Sequence, residues 1–543
     1  MPRLRLSEPA YARVERLLDL SLLLCGLLTL GLFVLVVGFP LPGDLHEAVT
    51  ASTRGILALF AFQELLRFAL APRPLVLLRA RRVEALIALA AGLELAFGHI
   101  LVFWLQRIGS GLSPTTIALL YLGGTQLTLL ASLALRAIRD NRWLCHRTLS
   151  PGLVFILSFT ALITLGTLLF KLPHATHAGI SWVDAIFVAT SAVCVTGLSP
   201  VDVPATFTQH GQWVLLGLIQ VGGLGIMTLT YFFAYFVAGG VSLRNRIGLQ
   251  DLLSEENLGH IGTVLALIVA FTAGVELLGA GIIYSALNDA PAAPENLPFF
   301  ALFHAVSAFC NAGFSTLSAG LADPSVNDHT GFLSVIMILI VLGGLGLPVI
   351  KNFWHYAVAV VHRRLGRRLA APPRLTANSR IVLITTAILL VGGTVLMWCT
   401  EFAFSRAPGH IAADSTWFTA LFHSVTARTA GFNVTPVAGL LPATAALMMF
   451  LMFVGGSPSS TAGGIKTSTL AVALLSLRRI LFGRRDVEAF GRRLPEELGD
   501  RALSILVVAG GFVTTLSVIL CTLHPELPPE DLVFEVVSAV GTV

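Results

Sequence analysis

The chain has 543 residues, of which 55% are hydrophobic and only 12% are charged, and its mean hydropathy is +0.83. These values exclude an ordinary soluble globular protein and indicate a polytopic membrane protein. The net charge of +5 comes almost wholly from arginines that lie between apolar runs. The positive charge therefore indicates how the chain is oriented in the membrane, and it does not indicate a nucleic-acid partner.

Eleven apolar runs are predicted to cross the bilayer. They lie at 17–40, 51–72, 83–105, 112–138, 152–170, 212–238, 261–286, 331–360, 381–403, 442–475 and 502–523. Arginine clusters mark alternate ends of these runs, apart from Arg107 on an outward turn, and short basic loops stay in the cytoplasm. We therefore expect a multi-pass protein of the cell inner membrane with a cytoplasmic N-terminus. The charged N-terminal stretch does not have the pattern of a cleavable signal peptide.

Residues 1–148 are predicted to form an N-terminal membrane domain of four helices. Its stretch FQELLRFALAP faintly resembles the second helix of a voltage-sensor module. Arg136, Arg139 and Arg142 are spaced by three, but they lie at the cytoplasmic end of the fourth run, where charges already in water sense little of the membrane field. We therefore predict a structural or dimer-flanking domain in preference to a voltage sensor.

Three outward loops each contain a short apolar stretch that ends in glycine. The stretches align by eye as Phe187–Gly197, Phe303–Gly313 and Phe422–Gly431, and the pattern returns from Phe534 onward. Such stretches are too short to cross a bilayer, so we expect buried or re-entrant segments.

This repetition predicts an all-α integral membrane fold, in which four units of helix, re-entrant pore loop and helix surround a central pore with pseudo-fourfold symmetry. The predicted boundaries are 149–250 for repeat 1, 251–372 for repeat 2, 373–483 for repeat 3, and 484–543 for a cytoplasmic elbow with an incomplete repeat 4. Because the outgoing helix of repeat 4 is missing, we expect a truncated chain. A genuinely short protein is the alternative.

The chemistry of these segments follows from what a bilayer permits. Non-helical backbone at membrane depth is tolerated only inside protein or along a water-filled cavity. Four such segments around one axis would turn carbonyl oxygens toward a common centre, where the oxygens can replace the hydration shell of a cation. The preceding helices would point their partially negative C-terminal ends to the same centre. The pattern predicts a cation pore; in the simpler interpretation the glycines only cap short buried helices.

Six motifs carry a resemblance to a known family. They are TSAVCVTGLSPVD, FHAVSAFCNAGFSTL, FHSVTARTAGFN, FEVVSAVGTV, VGGSPSSTAGGIKTST and EAFGRRLPEELGDRAL. Together they resemble the superfamily of Trk, Ktr and HKT potassium transporters. The resemblance implies a pore subunit of the Trk and Ktr type, potassium ion as its substrate, and no covalent cofactor. It also implies a homodimer in membrane lipid and a cytoplasmic ring of nucleotide-binding regulatory subunits of the RCK type.

Carried over position by position, the resemblance implies a potassium-binding filter made by the backbone of four strips. The strips are Val195, Thr196 and Gly197; Asn311, Ala312 and Gly313; Thr429, Ala430 and Gly431; and Thr542 and Val543. In that family a glycine in the first strip goes with potassium selectivity and a serine with sodium permeation. Gly197 therefore favours potassium.

The stretch FVGGSPSSTAGGIKTS at 453–468 contains four glycines and a proline at mid-membrane depth. An ordinary helix does not tolerate that composition, so an intramembrane loop is predicted. The resemblance implies that this loop is a gate, whereas a kink that relieves helix packing is the alternative. The gate residues would be Gly455, Gly456, Ser457, Pro458, Ser459, Ser460, Thr461, Gly463, Gly464 and Lys466.

Lys466 could face the ion path as an electrostatic barrier or extend toward cytoplasmic water. The corresponding glycine clusters VGGLG at 221–225 and LGGLG at 342–346 lack the proline and serines of the predicted loop. Close packing of small residues between helices is predicted for both.

Charged and polar groups in apolar settings are further candidates. Arg428 precedes the third strip, where an unpaired guanidinium is costly. We predict that it supports the filter by pairing with a carboxylate or with carbonyl groups, and Glu535 is one candidate partner. His304 and His423 occupy equivalent places and are predicted to pack or hydrogen-bond. Glu276 is either a site of proton or sodium coupling or a hydrogen-bonded carboxyl.

The strongly charged stretch RRDVEAFGRRLPEELGDR at 484–501 is predicted to be the cytoplasmic elbow before the last run. It is either a docking surface for a regulatory subunit or a solvated loop.

Three function classes were compared. A membrane enzyme has no support, because the chain contains no HExxH motif, nucleophile elbow or phosphate loop. A sodium- or proton-coupled symporter is the alternative to potassium uptake driven by the membrane potential, as is a sodium-permeable member of the same family. Inverted repeats are expected in many coupled carriers, whereas these repeats share one orientation. We therefore favour potassium uptake.

Overall fold

The computed structural model describes residues 43–71, 151–240, 261–288, 294–365, 374–404, 417–483, 486–490 and 492–543, with scattered positions between 14 and 39 and at 89 and 92. It has two compact units: Met1–Leu149 with Leu172–His174, and Ser150–Lys171 with Ala175–Val543. The predicted runs at 83–105 and 112–138 lie almost wholly outside the described residues. The three arginines spaced by three lie wholly outside them.

The first unit contains helix α1, Gly43–Leu70. Within α1, Glu64 and Arg67 form an ion pair of 3.6 Å, and neither side chain is exposed. The spacing of three residues places both groups on one face of the helix. The two charged side chains of this helix are therefore buried as a pair.

The described part of the second unit is mainly helical. Nine of its helices are α2 (Pro151–Phe170), α4 (Gln209–Gly240), α5 (Ile261–Leu287), α7 (Thr330–Leu345), α8 (Leu347–Arg364), α9 (Ala377–Phe404), α11 (Pro442–Phe453), α12 (Thr467–Leu481) and α13 (Glu496–Leu523). Four short apolar helices each precede one of the predicted strips: α3 (Trp182–Val193), α6 (Leu297–Phe309), α10 (Trp417–Thr426) and α14 (Pro529–Gly541).

The four short helices contain at most 13 residues. At a rise of 1.5 Å per residue, such a helix covers only about two thirds of a hydrocarbon core of about 30 Å. Ser181 and Asn296 cap the first two, since their side chains accept the backbone N–H groups of Asp184 and Phe299. None of the four short helices is therefore long enough to cross a hydrocarbon core by itself.

Several longer helices can span a membrane. Among the described residues, four are long and apolar enough: Gln209–Thr228, Val264–Leu287, Ala377–Glu401 and Glu497–Leu523. A fifth span results if the bent pair α7 and α8 is counted as one. The protein is therefore an integral membrane protein with several crossings, as its composition predicts.

The run predicted at 331–360 is not one straight crossing. Helices α7 and α8 are bent by 102° at a break, where Gly346 adopts φ 72°. Pro348 follows at the start of α8, and it has no N–H with which to continue the helical hydrogen bonds of α7. The predicted close packing is present at Gly343, where a Cβ would lie 2.9 Å from the carbonyl carbon of Phe309, but the cluster also ends α7, which the sequence did not predict.

The glycines at 221–225 lie inside the continuous helix α4. A Cβ added at Gly222 would lie 3.0 Å from the Cα of Val193. This cluster does pack two helices closely, as predicted. The run predicted at 442–475 is divided instead: α11 ends at Phe453, α12 begins at Thr467, and the residues between them are not helical.

Three buried apolar clusters connect consecutive parts of the second unit. One contains Val195 and Phe314, the next contains Phe309 and Phe432, and the third contains Met452 and Val543. Each cluster thus joins one short helix and its following strip to the next along the chain. Burial of these side chains supplies the main favourable free energy that holds the short helices together.

A two-stranded antiparallel hairpin precedes α13. Strand β1 (Val487–Ala489) pairs with β2 (Arg492–Leu494), with Val487 opposite Leu494. Val487 and Ala489 are buried, whereas Arg493 forms an exposed ion pair of 3.1 Å with Asp486. The stretch predicted as a charged elbow therefore contains a small hairpin with one buried face, followed by the first turn of α13.

Candidate functional site

All four short helices end in the same backbone turn. One to three residues after the end of each helix, one residue adopts a left-handed φ: Val195 (57°), Asn311 (59°), Thr429 (70°) and Thr542 (58°). This region is uncommon for residues that carry a Cβ. Because the left-handed conformation occurs at four matching places, the four helices share one type of turn. The four left-handed residues are the first residues of the four predicted strips.

One backbone hydrogen bond recurs in this turn. The residue after the left-handed one donates its N–H to the carbonyl of a serine or threonine in the short helix, at 2.7–3.0 Å. The pairs are Thr196 and Ser191, Ala312 and Ser307, Ala430 and Thr426, and Val543 and Ser538. The bond reverses the chain at the end of the helix and directs the strip back along it.

The first two strips meet at Gly197. A Cβ added to this residue would lie 2.5 Å from the carbonyl oxygen of Ala312 and 3.3 Å from the Cα of Gly313. Only glycine permits this approach, and its φ of 90° is also one that other residues rarely adopt. The backbones of the first and second strips are therefore in direct contact.

The contacts continue through the other strips. A Cβ on Gly313 would lie 3.2 Å from the Cα of Gly431. On Gly431 it would lie 3.0 Å from the carbonyl carbon of Val543 and 3.8 Å from the carbonyl oxygen of Thr196. The third strip therefore contacts both the fourth strip and the first. All four strips are thus connected by backbone contacts, which caps of separate helices would not require.

A set of hydroxyl groups, which was not predicted from the sequence, fastens the strips. Ser307 Oγ donates to the carbonyl of Phe314 at 2.8 Å, and Thr426 Oγ1 donates to that of Phe432 at 2.8 Å. Ser538 Oγ donates to the carbonyl of Val543 at 2.6 Å. The matching hydroxyl in the first copy, Ser191 Oγ, is buried and has no partner in the described part of the chain.

The sequence does contain a signal for this set. A serine or threonine followed by alanine occurs at the same place in all four motifs: Ser191–Ala192, Ser307–Ala308, Thr426–Ala427 and Ser538–Ala539. A small hydroxyl side chain in the last turn of a helix can reach a nearby carbonyl. The repeated dipeptide could therefore have identified these residues.

Asn311 connects the second strip to the third. In either orientation of its amide, the group that faces Thr429 lies 3.2 Å from Thr429 Oγ1. With the amide oxygen toward Thr429, the nitrogen also donates to the carbonyls of Ala308 and Ile340, at 3.1 and 3.2 Å. This orientation satisfies the whole amide, as buried polar groups require.

The non-helical segment between α11 and α12, Val454–Lys466, lies against the strips. A Cβ on Gly455 would lie 3.0 Å from Thr429 Cγ2, and one on Gly463 would lie 2.7 Å from Thr542 Cγ2. The segment therefore contacts the first residues of the third and fourth strips. From here on, we call the segment Val454–Lys466 the loop.

Arg428 joins the third strip to the loop. Its Nη2 donates to the carbonyl of Gly455 at 3.0 Å, and the residue is only 7% exposed. The predicted pairing with carbonyl groups is thus present. The predicted alternative is wrong, because Glu535 is exposed and forms no ion pair with Arg428. Helix α14 carries Glu535 on its outer face, away from the buried Val536 and Val537.

The loop is also bonded to itself. Ser460 Oγ donates to the carbonyl of Ser457 at 2.6 Å, and Lys466 Nζ donates to that of Ala462 at 2.6 Å. Val454 and Ile465 form a parallel β-bridge. The ammonium group of Lys466 is therefore held by the loop, at the N-cap of α12, where the helix dipole disfavours a positive charge.

The two histidines behind the strips act as hydrogen-bonding groups. His304 Nε2 lies 3.0 Å from Ser315 Oγ, and Nδ1 lies 2.9 Å from the carbonyl of Phe300. His423 Nε2 lies 2.8 Å from Thr435 Oγ1. No group of three or more His, Cys, Asp or Glu residues that could hold a metal ion occurs among the described residues. The prediction that these histidines pack and hydrogen-bond agrees with these contacts.

Glu276 is buried in α5, directly behind the second strip. It is 4% exposed, and Cys310 Sγ donates to its Oε1 at 3.7 Å. Cys310 immediately precedes Asn311. The carboxyl group is thus one residue away from the strip, within a mostly apolar helix.

A family model described as a cation transport protein, TrkH, matches residues 129–543. The Ktr system potassium uptake protein B of Vibrio alginolyticus is 34% identical over 391 residues, which cover 72% of this chain and 82% of the relative. The protein of the same name from Bacillus subtilis is 32% identical, covering 73% of this chain and 85% of its own length. The potassium/sodium uptake protein NtpJ of Enterococcus hirae is also 32% identical, with coverages of 73% and 86%.

A solved structure has a similar fold. The crystal structure of the potassium transporter TrkH from Vibrio parahaemolyticus matches with a TM-score of 0.55 and 20% sequence identity. The match covers 78% of this chain and 84% of that chain. The helical architecture of the second unit is thus shared with a solved membrane protein.

Proposed function

The chain belongs to the TrkH family of cation transport proteins, and on that premise we propose that it takes potassium into the cell through a filter of backbone carbonyl groups. The family consists of ion transporters, so the protein is a transporter and not an enzyme. Two of the relatives described above are named for potassium uptake alone, and one for potassium and sodium.

The contact between the four strips is the observation that carries this proposal. Gly197, Gly313 and Gly431 each face the next strip at distances that leave no room for a side chain. Backbone in this arrangement can present a ring of carbonyl oxygens to a dehydrated cation. The strips are Val195 to Gly197, Asn311 to Gly313, Thr429 to Gly431, and Thr542 with Val543. In this proposal they belong to four re-entrant segments of a pseudo-fourfold pore.

The surroundings of the strips favour a cation. The C-terminal ends of the four short helices lie directly before the strips, and these ends carry partial negative charge. Hydroxyl groups of Ser307 and Thr426 hold the carbonyls after the glycines, which fixes the backbone without adding a charge. Arg428 is directed to the loop by its bond to Gly455 and does not enter the proposed filter.

The loop is the proposed gate. It lies against Thr429 and Thr542, so an ion leaving the filter on that side would meet it. The gate comprises Gly455, Gly456, Ser457, Pro458, Ser459, Ser460, Thr461, Gly463, Gly464 and Lys466. Opening requires the loop to move aside, and the charge of Lys466 adds an electrostatic barrier while the loop is in place.

Buried Glu276 favours one alternative, a cation symporter coupled to sodium or protons. A carboxyl at membrane depth can bind either ion, and Glu276 lies next to Cys310 at the second strip. Its hydrogen bonds to Gln220 and Cys310 are also those of a carboxyl group that only packs within the helix bundle. The arginine pattern gives all repeats one orientation, whereas many coupled carriers have inverted repeats. Transport driven by the membrane potential is therefore our first proposal.

The assembly proposed for this protein is a homodimer in the cell inner membrane, with a cytoplasmic N-terminus. The names of the relatives place them within a Ktr system, which supports the proposal of a further component. A ring of nucleotide-binding regulatory subunits of the RCK type is the component that we propose.

Transport by the purified full chain in liposomes tests the proposal. We expect flux to follow a potassium gradient, to be weaker for sodium and to be absent for choline. Growth of a strain that lacks potassium uptake, rescued by this chain at low external potassium, is the corresponding test in cells. Equal flux of potassium, sodium and choline would contradict the proposal. The absence of flux under both a potassium and a sodium gradient would contradict it as well.

A further inference from the structure

The break between α7 and α8 leaves backbone carbonyls without helical partners. The last four carbonyl groups of any helix have no N–H donor within that helix. Gly344 is two residues from the break, and its donor in a continuous helix would be the N–H of residue 348. That residue is Pro348, which has no N–H. Gly343 and Leu345 are in the same terminal turn of α7.

The loop supplies the missing donors. Ser457 N–H donates to the carbonyl of Gly344 at 2.9 Å, and Thr461 N–H donates to that of Gly343 at 3.3 Å. Ser457 Oγ donates to the carbonyl of Leu345. Three consecutive carbonyls of α7 are therefore satisfied by the loop.

Gly346 allows the loop to come this close. A Cβ at this position would lie 2.7 Å from the carbonyl oxygen of Ser459 and 3.1 Å from the backbone nitrogen of Ser460. The φ of 72° at Gly346 also suits glycine. The bend in repeat 2 and the loop of repeat 3 are therefore shaped to fit each other.

Thr461 makes a second connection. Its Oγ1 donates to the carbonyl of Phe309 at 3.0 Å. Phe309 is the last residue of α6, two positions before Asn311 in the second strip. One side of the loop is thus bonded both to the broken helix and to the helix that carries a strip.

We propose that Ser457 and Thr461 form a latch that holds the loop on the broken helix and, through Thr461 Oγ1, on the end of α6, and that Pro348 sets the strength of this latch. The inference rests on the proposed gating function of the loop. While α7 and α8 are bent, only the loop can satisfy Gly343, Gly344 and Leu345. A straighter helix would satisfy part of this set internally, and the loop would then be released.

The latch links the gate to α8. This helix ends in His362, Arg363 and Arg364, a basic end that is predicted to be cytoplasmic. A force that realigns α8 with α7 would change the partners of the three carbonyls. The bend at Gly346 is therefore the element through which a cytoplasmic event can open the loop.

Two variants weaken the latch in different ways. Thr461→Val removes the hydroxyl donor to Phe309 at nearly constant shape, and Pro348→Ala restores an N–H for Gly344. Each should raise potassium flux through the chain in liposomes, without any partner, by about two- to tenfold, since one neutral hydrogen bond is weakened or replaced. Thr461→Ser keeps the donor and should keep the latch. Ser334→Ala removes an exposed hydroxyl on α7 that bonds Thr330 and should leave flux unchanged.

Hydrogen exchange provides a readout that does not depend on transport. Amides of peptides that contain residues 454–466 should exchange faster in Thr461→Val and in Pro348→Ala than in the wild type, Thr461→Ser or Ser334→Ala. Unchanged exchange and unchanged flux in both latch variants would overturn the latch. If the wild-type chain carried no potassium while exchange responded as expected, the proposed function would fail and the latch would stand. A variant that does not fold is recognised by its thermal unfolding, and the other variant then decides.

Discussion

Arg428 Nη2 donates to the carbonyl oxygen of Gly455 at 3.0 Å, and this bond ties the third strip to the loop. The guanidinium group lies in an almost fully buried setting, where a charge requires good partners. In this protein the partner is a carbonyl group rather than a carboxylate. The same residue therefore supports both the proposed filter and the proposed gate.

Arg428→Gln should lower potassium flux and the thermal stability of the chain. The variant loses a charge-assisted hydrogen bond, which is worth about 1.5–3 kcal/mol. Arg428→Lys keeps the charge but not the planar fork, so we expect an intermediate effect. Flux in liposomes and the unfolding midpoint are the measurements.

Glu535→Gln is the matched control for Arg428. Because Glu535 is exposed and does not pair with Arg428, this change should leave flux and stability near the wild-type values. A loss as large as that in Arg428→Gln would show that the two residues act as a pair after all.

Gly197→Ser should reduce the preference for potassium over sodium. The new Cβ would lie 2.5 Å from the carbonyl oxygen of Ala312, and its left-handed φ costs a residue with a side chain about 1–2 kcal/mol. The first and second strips must then shift apart. Potassium and sodium fluxes measured in parallel give the ratio.

Gly217→Ala is a suitable control for this change. Gly217 is in α4, and a Cβ there would meet no atom within 4 Å. The ratio of potassium to sodium flux should therefore not change. A Gly197→Ser chain with wild-type selectivity would contradict the assignment of this strip to the filter.

Ser307→Ala and Ser191→Ala should have different effects on stability and selectivity, although the two serines occupy matching places in their motifs. The first change removes a hydrogen bond to Phe314 and should destabilise the chain by about 1 kcal/mol and weaken selectivity. The second removes a buried hydroxyl that has no partner in the described residues, so it should be neutral or stabilising. Unfolding midpoints and flux ratios compare the two. Equal losses would mean that the hydroxyl ties are unimportant.

Glu276→Gln distinguishes uptake driven by the membrane potential from coupled transport. The amide keeps the size of the buried side chain and an oxygen that can accept from Cys310 Sγ. We expect potassium flux to persist and to remain independent of sodium and proton gradients. A wild-type flux that follows either gradient, and loses this dependence in Glu276→Gln, would favour the symporter instead.

The turns of the four strips could be predicted because each is encoded locally. Apolar residues followed by a strip residue recur at nearly the same spacing, with a glycine after the strip residue in the first three copies, so the alignment located Val195, Asn311, Thr429 and Thr542. The non-helical loop was predicted in the same way, since glycine and proline oppose a helix wherever it lies. The role of these residues in transport stays a prediction until it is measured.

Other features could not be predicted in this way. The glycine cluster at 342–346 was interpreted as close helix packing, because it lacks the serines of the loop. Those serines belong to the next repeat, and in the folded protein Ser457 bonds the last carbonyls of α7. Glu535 was a candidate partner of Arg428 because both are charged residues near the strips. Which face of α14 is buried depends on its packing against the rest of the protein.

The sequence by itself determined the membrane character, the short helices and the places where the backbone turns, because hydrophobicity and backbone preference act over neighbouring residues. Only the tertiary structure decided which strip contacts which, where Arg428 is directed and which donors satisfy the carbonyls of Gly343, Gly344 and Leu345. The strip contacts and the donors to these three carbonyls join groups more than a hundred residues apart in the chain, and Arg428 bonds a carbonyl 27 residues away. They depend on the burial and hydrogen-bond satisfaction of the whole fold.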